Sequence, residues 1–336
     1  MGEAGGKIGL MKRKKIVVVG GGTGTFVTLT GLRQYPVDLT AIITMMDSGG
    51  STGRLRDQLG VLPPGDLRQA LVALSDSQQI WRDLFVYRFE SGDLREHNFG
   101  NIFLSALEKM TGSIEEAIDL ASFILNVRGE VVPVTFDRCE LCVELVDGFV
   151  IEGESHIDEP REMTERPKIK RAFLNPSASP NPRALGQIEP ADLIVVGPGD
   201  LYTSIIPNLL VKGVSEAIRK SPAKKIFVMN LMTKYGQTTN YTASEHIEDL
   251  EKYLGAGVLD TVLINHRRPS QKILDWYLES HEVVVEDNLT DETGVEVLRA
   301  DLLSEVVVEK SKADKTRRSL IRHDSQKLAR SLLANL

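Results

Sequence analysis

One short run, Gly20-Gly21-Gly22-Thr23-Gly24-Thr25, constrains this chain more than any other feature. It follows Lys15-Ile16-Val17-Val18-Val19, an unbroken β-branched stretch of the kind that forms a parallel strand buried on both faces. After it, Val27, Leu29 and Leu32 give residues 26–34 a helical pattern, which Pro36 stops. A second apolar strand, residues 39–46, ends in another glycine-rich loop. Strand, glycine turn, helix, strand opens a doubly wound α/β fold with a mainly parallel, Rossmann-like sheet.

The pattern extends along the chain. Helical patterns are predicted at 66–75, 78–90, 98–110 and 113–125, then at 210–220 and 243–254. Strands are predicted at 192–196, 225–229, 261–264 and 283–285. Between them, residues 130–175 alternate apolar and polar side chains, which predicts an antiparallel β excursion. A terminal helix is expected over 324–335 with Asp324 as its N-cap. Residues 1–14 are Gly-rich, then basic, and read as a disordered tail before one domain spanning 15–336.

Bulk properties narrow the function. A net charge of −7 and 6% aromatic residues argue against coating nucleic acid, which needs basic and stacking surfaces. No signal-peptide pattern or transmembrane-length apolar run is present, so a cytoplasmic protein without membrane insertion is expected. Cys139 and Cys142 form a CxxC, but in a strand-like context they point to opposite faces and make a poor chelate or redox pair.

Six loops carry the chemistry, each at a strand end or helix start. In the first, Gly21, Gly22, Thr23, Gly24 and Thr25 offer backbone N–H groups to an anion. The second holds Asp47, then Ser48, Gly49, Gly50, Ser51, Thr52, Gly53 and Arg54, and reads as a second anion nest with a basic partner. The third contains Asp66, a candidate N-cap, and Arg68. His97, Asn98 and Asn101 form the fourth, suited to a base or sugar or to capping. Gly197, Gly199, Asp200, Tyr202 and Ser204 follow a buried strand, and Asn230 and Thr233 follow the next. Ligands of open α/β sheets bind beyond such strand ends. No G-x-S-x-G elbow or H-E-x-x-H is present.

At these loops the chain resembles the gluconeogenesis factor family, the YvcK-type, CofD-like relatives of 2-phospho-L-lactate transferase. The matching tracts are Val-Gly-Gly-Gly-Thr-Gly (19–24), Asp-Ser-Gly-Gly-Ser (47–51), Gly-Arg-Leu-Arg (53–56), Pro-Pro-Gly-Asp (63–66), His-Asn-Phe-Gly-Asn (97–101), Gly-Pro-Gly (197–199), Leu-Tyr-Thr-Ser (201–204), Pro-Asn-Leu-Leu-Val (207–211) and Arg-His-Asp (322–324). The resemblance implies a modified Rossmann-like fold and a nucleotide-sugar ligand, a UDP-sugar such as UDP-N-acetylglucosamine, with a role in cell-wall supply and cell shape. It also implies that Arg322 contacts the ligand.

The transferase branch instead moves a phospholactyl group from a guanosine diphosphate donor with a divalent metal. It carries Asn-Thr-Gly-Asp-Asp where this chain has Met46-Asp47-Ser48-Gly49-Gly50, so the chain sides with the gluconeogenesis branch. Two departures stand out. Asp200 replaces an expected Ser, and Lys234-Tyr235-Gly236-Gln237 replaces Gln-x-Gly-Glu. A carboxylate beside a phosphate repels it unless a cation intervenes.

The leading expectation is therefore a regulatory binder of a nucleotide sugar or other nucleotide diphosphate that requires no cofactor. The first alternative is a CofD-like transferase using Mg2+, with Asp47 holding the metal or activating an acceptor. The second is an NAD-dependent dehydrogenase, resting on the first glycine turn and Asp47. A homo-oligomer is compatible with the sequence.

Overall fold

The computed structural model describes residues 13–159, 166–290, 294–306 and 319–336. Most of the expected tail, residues 1–12, lies outside them.

Among the described residues, seven parallel strands form the main sheet. They are β1 (Lys15–Gly20), β2 (Asp38–Ile43), β3 (Glu130–Pro133), β7 (Leu193–Val196), β8 (Lys224–Val228), β9 (Thr261–Asn265) and β10 (Glu296–Ala300), in the order β10-β9-β8-β7-β1-β2-β3. The central strand β1 pairs with β2 through Val18↔Ala41 and with β7 through Val18↔Val195. Its Ile16, Val18 and Val19 are fully buried, as are all four residues of β7, because helices cover both faces of such a sheet. The order reverses between β1 and β7. That gap is the topological switch point, where a doubly wound sheet opens a crevice for ligands.

The helices of the first half are α1 (Gly22–Leu32), α2 (Gly50–Leu59), α3 (Gly65–Leu74), α4 (Gln79–Val86), α5 (Phe99–Thr111) and α6 (Ile114–Ile124). Next come α7 (Glu154–Asp158), α8 (Pro182–Ile188), α9 (Ile206–Leu210), α10 (Val214–Lys220) and α11 (Ala243–Leu254). Then follow α12 (Gln271–Leu278) and α13 (Ser325–Leu333). They pack as two sets, one joining α1 to α3 and α13, the other joining α10 to α8, α9 and α11. Among the described residues no helix is long and apolar enough to cross a membrane.

A second, antiparallel sheet contains β5 (Val150–Glu152), β4 (Glu140–Leu145) and β6 (Ile169–Asn175), in the order β5-β4-β6. The expected excursion is present but narrower. Residues 130–133 belong to the main sheet as β3, with Ile42 opposite Val132, because Val131 and Val132 are buried beside β2. The strand expected at 283–285 is a single bridge from Val284 to Met232. Asp324 caps α13 as expected, accepting bonds from the N–H groups of Gln326 and Lys327, both at 2.9 Å.

Candidate functional site

A cleft of about 350 Å³ lies over the switch point. One side is the turn after β1. The glycine run is itself the first turn of α1, so the helix starts at Gly22, earlier than its apolar pattern predicts. The opposite side is the loop after β7, which turns into a π-helical segment at Leu201–Ile205. Three helix starts open on the cleft through Gly21–Gly24, Gly49–Thr52 and Gly65–Asp66. At each of them, α1, α2 and α3, the N-cap position makes no side-chain capping bond. By contrast α5, α6, α8, α11 and α13 are capped by Asn98, Ser113, Asn181, Thr242 and Asp324. Uncapped N–H groups with a positive helix end behind them are anion ligands.

Polar side chains stiffen this floor. Arg68 Nε donates to Asn101 Oδ1 at 2.8 Å, and Asn101 Nδ2 donates to Thr52 Oγ1 at 3.3 Å. His97 Nδ1 lies 3.2 Å from Ser51 Oγ, and burial lowers the His97 pKa, with Arg54 and Arg88 adding to the effect. Asp47 Oδ1 accepts the Gly49 N–H at 3.0 Å.

The remaining wall is acidic and comes largely from α7. Glu154 Oε2 accepts the Ser48 N–H at 3.2 Å, and the Ser155 N–H donates to Ser48 Oγ at 3.0 Å, so the small sheet is fastened to the second loop. Burial, then the charges of Asp47 and Asp158, push the Glu154 carboxyl well above its usual range. Asp158 meets Lys234 Nζ at 3.4 Å and accepts from Gln237 Nε2 at 2.9 Å. Asp200 is pushed up to about 6, first by burial, against the pull of Lys234 and with Asp158 and Glu282 adding to the rise. Burial disfavours the Lys234 ammonium, but Asp158, Asp200 and Glu282 outweigh it and hold its pKa above the usual value. Lys234 thus places a positive charge in the field of Asp200.

Of the expected site residues, the cleft is lined by Gly21, Gly22, Thr23, Gly24, Asp47, Gly49, Gly50, Ser51, Thr52, Asp66, Arg68, Asn101, Gly199, Asp200, Ser204, Asn230, Thr233 and Arg322. Others support it from behind. Thr25 is buried against Gly20, Ser48 holds α7, and Gly53 packs on the Ser48 carbonyl. His97 and Asn98 position Ser51, with the Asn98 N–H donating at 3.3 Å. Gly197 sits behind the turn against Ile205, and Tyr202 points away to donate to Asp249. Arg54 faces Glu96 and the Arg95 carbonyl instead of the cleft. Asp66 does not cap α3; it lies in the first turn, with its carboxylate against Gly21. Sequence reasoning missed Arg88, Glu154, Asp158, Glu282 and His323, which also line the cleft. Only Lys234 among the additional charges carried a signal, as a departure from the family pattern.

The family model for 2-phospho-L-lactate transferase CofD matches residues 16–303. A "Gluconeogenesis factor" of Bacillus subtilis (strain 168) is 42% identical over 329 residues, covering 97% of this chain and 98% of that one. The chain belongs to the CofD-like family, on its gluconeogenesis-factor branch. A "Putative gluconeogenesis factor" of Nostoc sp. is 44% identical over 328 residues, 96% of this chain and 69% of its own. The crystal structure of a Bacillus halodurans protein superposes with a TM-score of 0.87 at 38% identity, covering 96% of this chain and all of that one (100%). The family's α/β architecture is therefore the one seen here.

Proposed function

We propose that this member of the family binds a nucleotide sugar, a UDP-sugar such as UDP-N-acetylglucosamine, as a regulatory ligand. The observation that carries the reading is the convergence of three uncapped helix starts at the switch point, with Arg68, Arg88 and Arg322 on the same cleft. A diphosphate lying across Gly21–Gly24 and Gly49–Thr52 meets N–H groups and guanidinium groups together, each charge-assisted bond contributing roughly 1.5–3 kcal/mol. The relatives' name, gluconeogenesis factor, supports a place in carbon metabolism. A link from there to wall supply and cell shape, in the cytoplasm, is part of the same proposal.

A second reading, a phospholactyl-type transferase with Mg2+, is favoured by Asp47. Among the described residues no group of three or more His, Cys, Asp or Glu is arranged to hold a metal. Mg2+ is commonly held by one or two carboxylates plus substrate phosphates, and Asp47 beside the second anion nest fits that role only with a ligand present. There the metal would supply charge neutralisation, and the chain's own part is to hold the diphosphate and orient an acceptor.

Titration calorimetry with UDP-N-acetylglucosamine, GDP and NAD, each with Mg2+ or with a chelator, tests both. The regulatory reading expects the UDP-sugar to bind tightest with the chelator present, and Arg322→Glu to weaken it at least tenfold, about 1.4 kcal/mol. Binding of GDP only with Mg2+ favours the transferase, and binding of NAD alone overturns both.

A further inference from the structure

His323 lines the cleft and is only 7% exposed. It lies beyond the carboxyl ends of the strands, held by an antiparallel bridge to Leu303. Its ring bonds to the Met229 backbone. The Met229 N–H already donates to the Leu263 carbonyl at 3.0 Å, so the ring N–H must donate to the Met229 carbonyl. Among the described residues Nε2 has no partner, which leaves Nδ1 as the donor and Nε2 as a bare acceptor. Burial pushes the ring pKa down to about 4, so the imidazole is neutral at physiological pH and Nε2 keeps its lone pair.

Asn230, the residue after Met229, also lines the cleft, and its Oδ1 is likewise buried without a partner among the described residues. Two unmatched acceptors thus line the same cleft, one on the residue that follows Met229 and the other on the ring that meets the Met229 backbone. Native proteins rarely leave buried acceptors unmatched, because the lost hydration is not recovered. Neither residue is tied to the anion nests, which are built from donors. Together they complement a ligand part that is rich in donors and distinct from the diphosphate.

We propose that His323 and Asn230 form a two-acceptor subsite that reads a pair of adjacent hydrogen-bond donors on the nucleoside. The inference rests on the nucleotide reading above. Two parts of a nucleoside offer such a pair: the ribose diol, with two O–H groups, and the amidine edge of guanine, with two N–H groups. The subsite selects nucleosides by their donors, while the glycine loops hold the phosphates of any of them.

The test is calorimetry on the full chain with UDP against 2′-deoxy-UDP, and GDP against IDP, which lacks the 2-amino donor. At least fivefold discrimination is expected in the first pair if the ribose is read, or in the second if the base is. His323→Leu should abolish that discrimination, while His323→Gln, which retains an acceptor, should keep part of it. If His323→Leu does not fold, as judged by its circular dichroism and melting curve, Asn230→Leu replaces it with the same expectation. Equal discrimination in wild type and variant, or none in wild type, overturns the subsite while leaving the nucleotide reading in place. If no nucleotide binds at all, both fall.

Discussion

Lys234 Nζ lies 3.4 Å from Asp158 Oδ1 and so ties the loop after β8 to helix α7 of the small sheet. The two side chains are 22% and 20% exposed, partly screened from water. Lys234 also carries the field of Asp200 and Glu282. Replacing it with Met leaves three carboxylates facing one another without their cation. Breaking a fully buried pair costs about 3–5 kcal/mol, and partial exposure places this case at or below the lower end. Urea unfolding of Lys234→Met should show that loss, and Asp200→Ser in the same chain should restore part of it. Additive effects in the double variant would show that the two residues do not act as a unit.

Asp200 also predicts a dependence of stability on pH. Its carboxyl is pushed up to about 6, above the unfolded value near 4. Between those values the native state binds more protons than the unfolded state, so stability falls as pH rises through this window and levels off above it. His323, shifted down to about 4, acts in the opposite direction between pH 4 and 6.5. Comparing wild type with Asp200→Asn isolates the first effect. The variant's relative stability should climb from pH 4 to about 6.5; a flat difference across that range would exclude a raised carboxyl pKa at Asp200.

The strands at the centre of the sheet were legible because burial on both faces leaves an uninterrupted apolar run, as in residues 16–19 and 193–196. A cap made the start of α13 legible, through Asp324. Helix α2 was hidden because Gly50, Ser51 and Gly53 disfavour helix locally, and its first turn lines the cleft. Strand β10 is a partly exposed edge with Glu296 and Arg299 in it, so its pattern is weak. The glycine loops announced one side of the cleft. The acidic side was silent, since Glu154 reaches Ser48 across 106 positions and Gln237 reaches Asp158 across 79. Local periodicity holds no information about such pairings.

The two thiols should be slow to react. Burial, followed by the charges of Asp137 and Glu140, pushes Cys139 up to about 11, and burial followed by Glu152 raises Cys142. Because the thiolate is the reactive form, Cys139 at pH 8 should be modified about a hundredfold more slowly than an ordinary exposed thiol. A disulfide reagent under native conditions measures this, with the denatured protein as reference. Rapid modification of the native protein would mean that the thiols are not held in the neutral form.

Gly24 joins the two halves of the fold at the point where the ligand is proposed to lie. It occupies the first turn of α1, where a Cβ would run into the Pro198 carbonyl and approach the Gly199 nitrogen to 3.0 Å. Both obstacles are backbone, so no flexible side chain can swing aside. Gly24→Ala must therefore push α1 away from the loop after β7 and widen the crevice between β1 and β7. Overpacking of this kind costs about 1–3 kcal/mol, and a backbone clash belongs at the upper end or beyond. Gly186 is a suitable control, because it lies in α8 and a methyl group added there would meet nothing within 4 Å. There Ala should stabilise the protein by up to about 1 kcal/mol through helix propensity. Unfolding curves of the two variants should shift in opposite directions. Gly24→Ala should also weaken nucleotide binding at least tenfold, because the N–H groups of Gly21–Gly24 move with α1. If Gly24→Ala is as stable as wild type and binds as well, the contact between α1 and Pro198 does not set the geometry of the cleft.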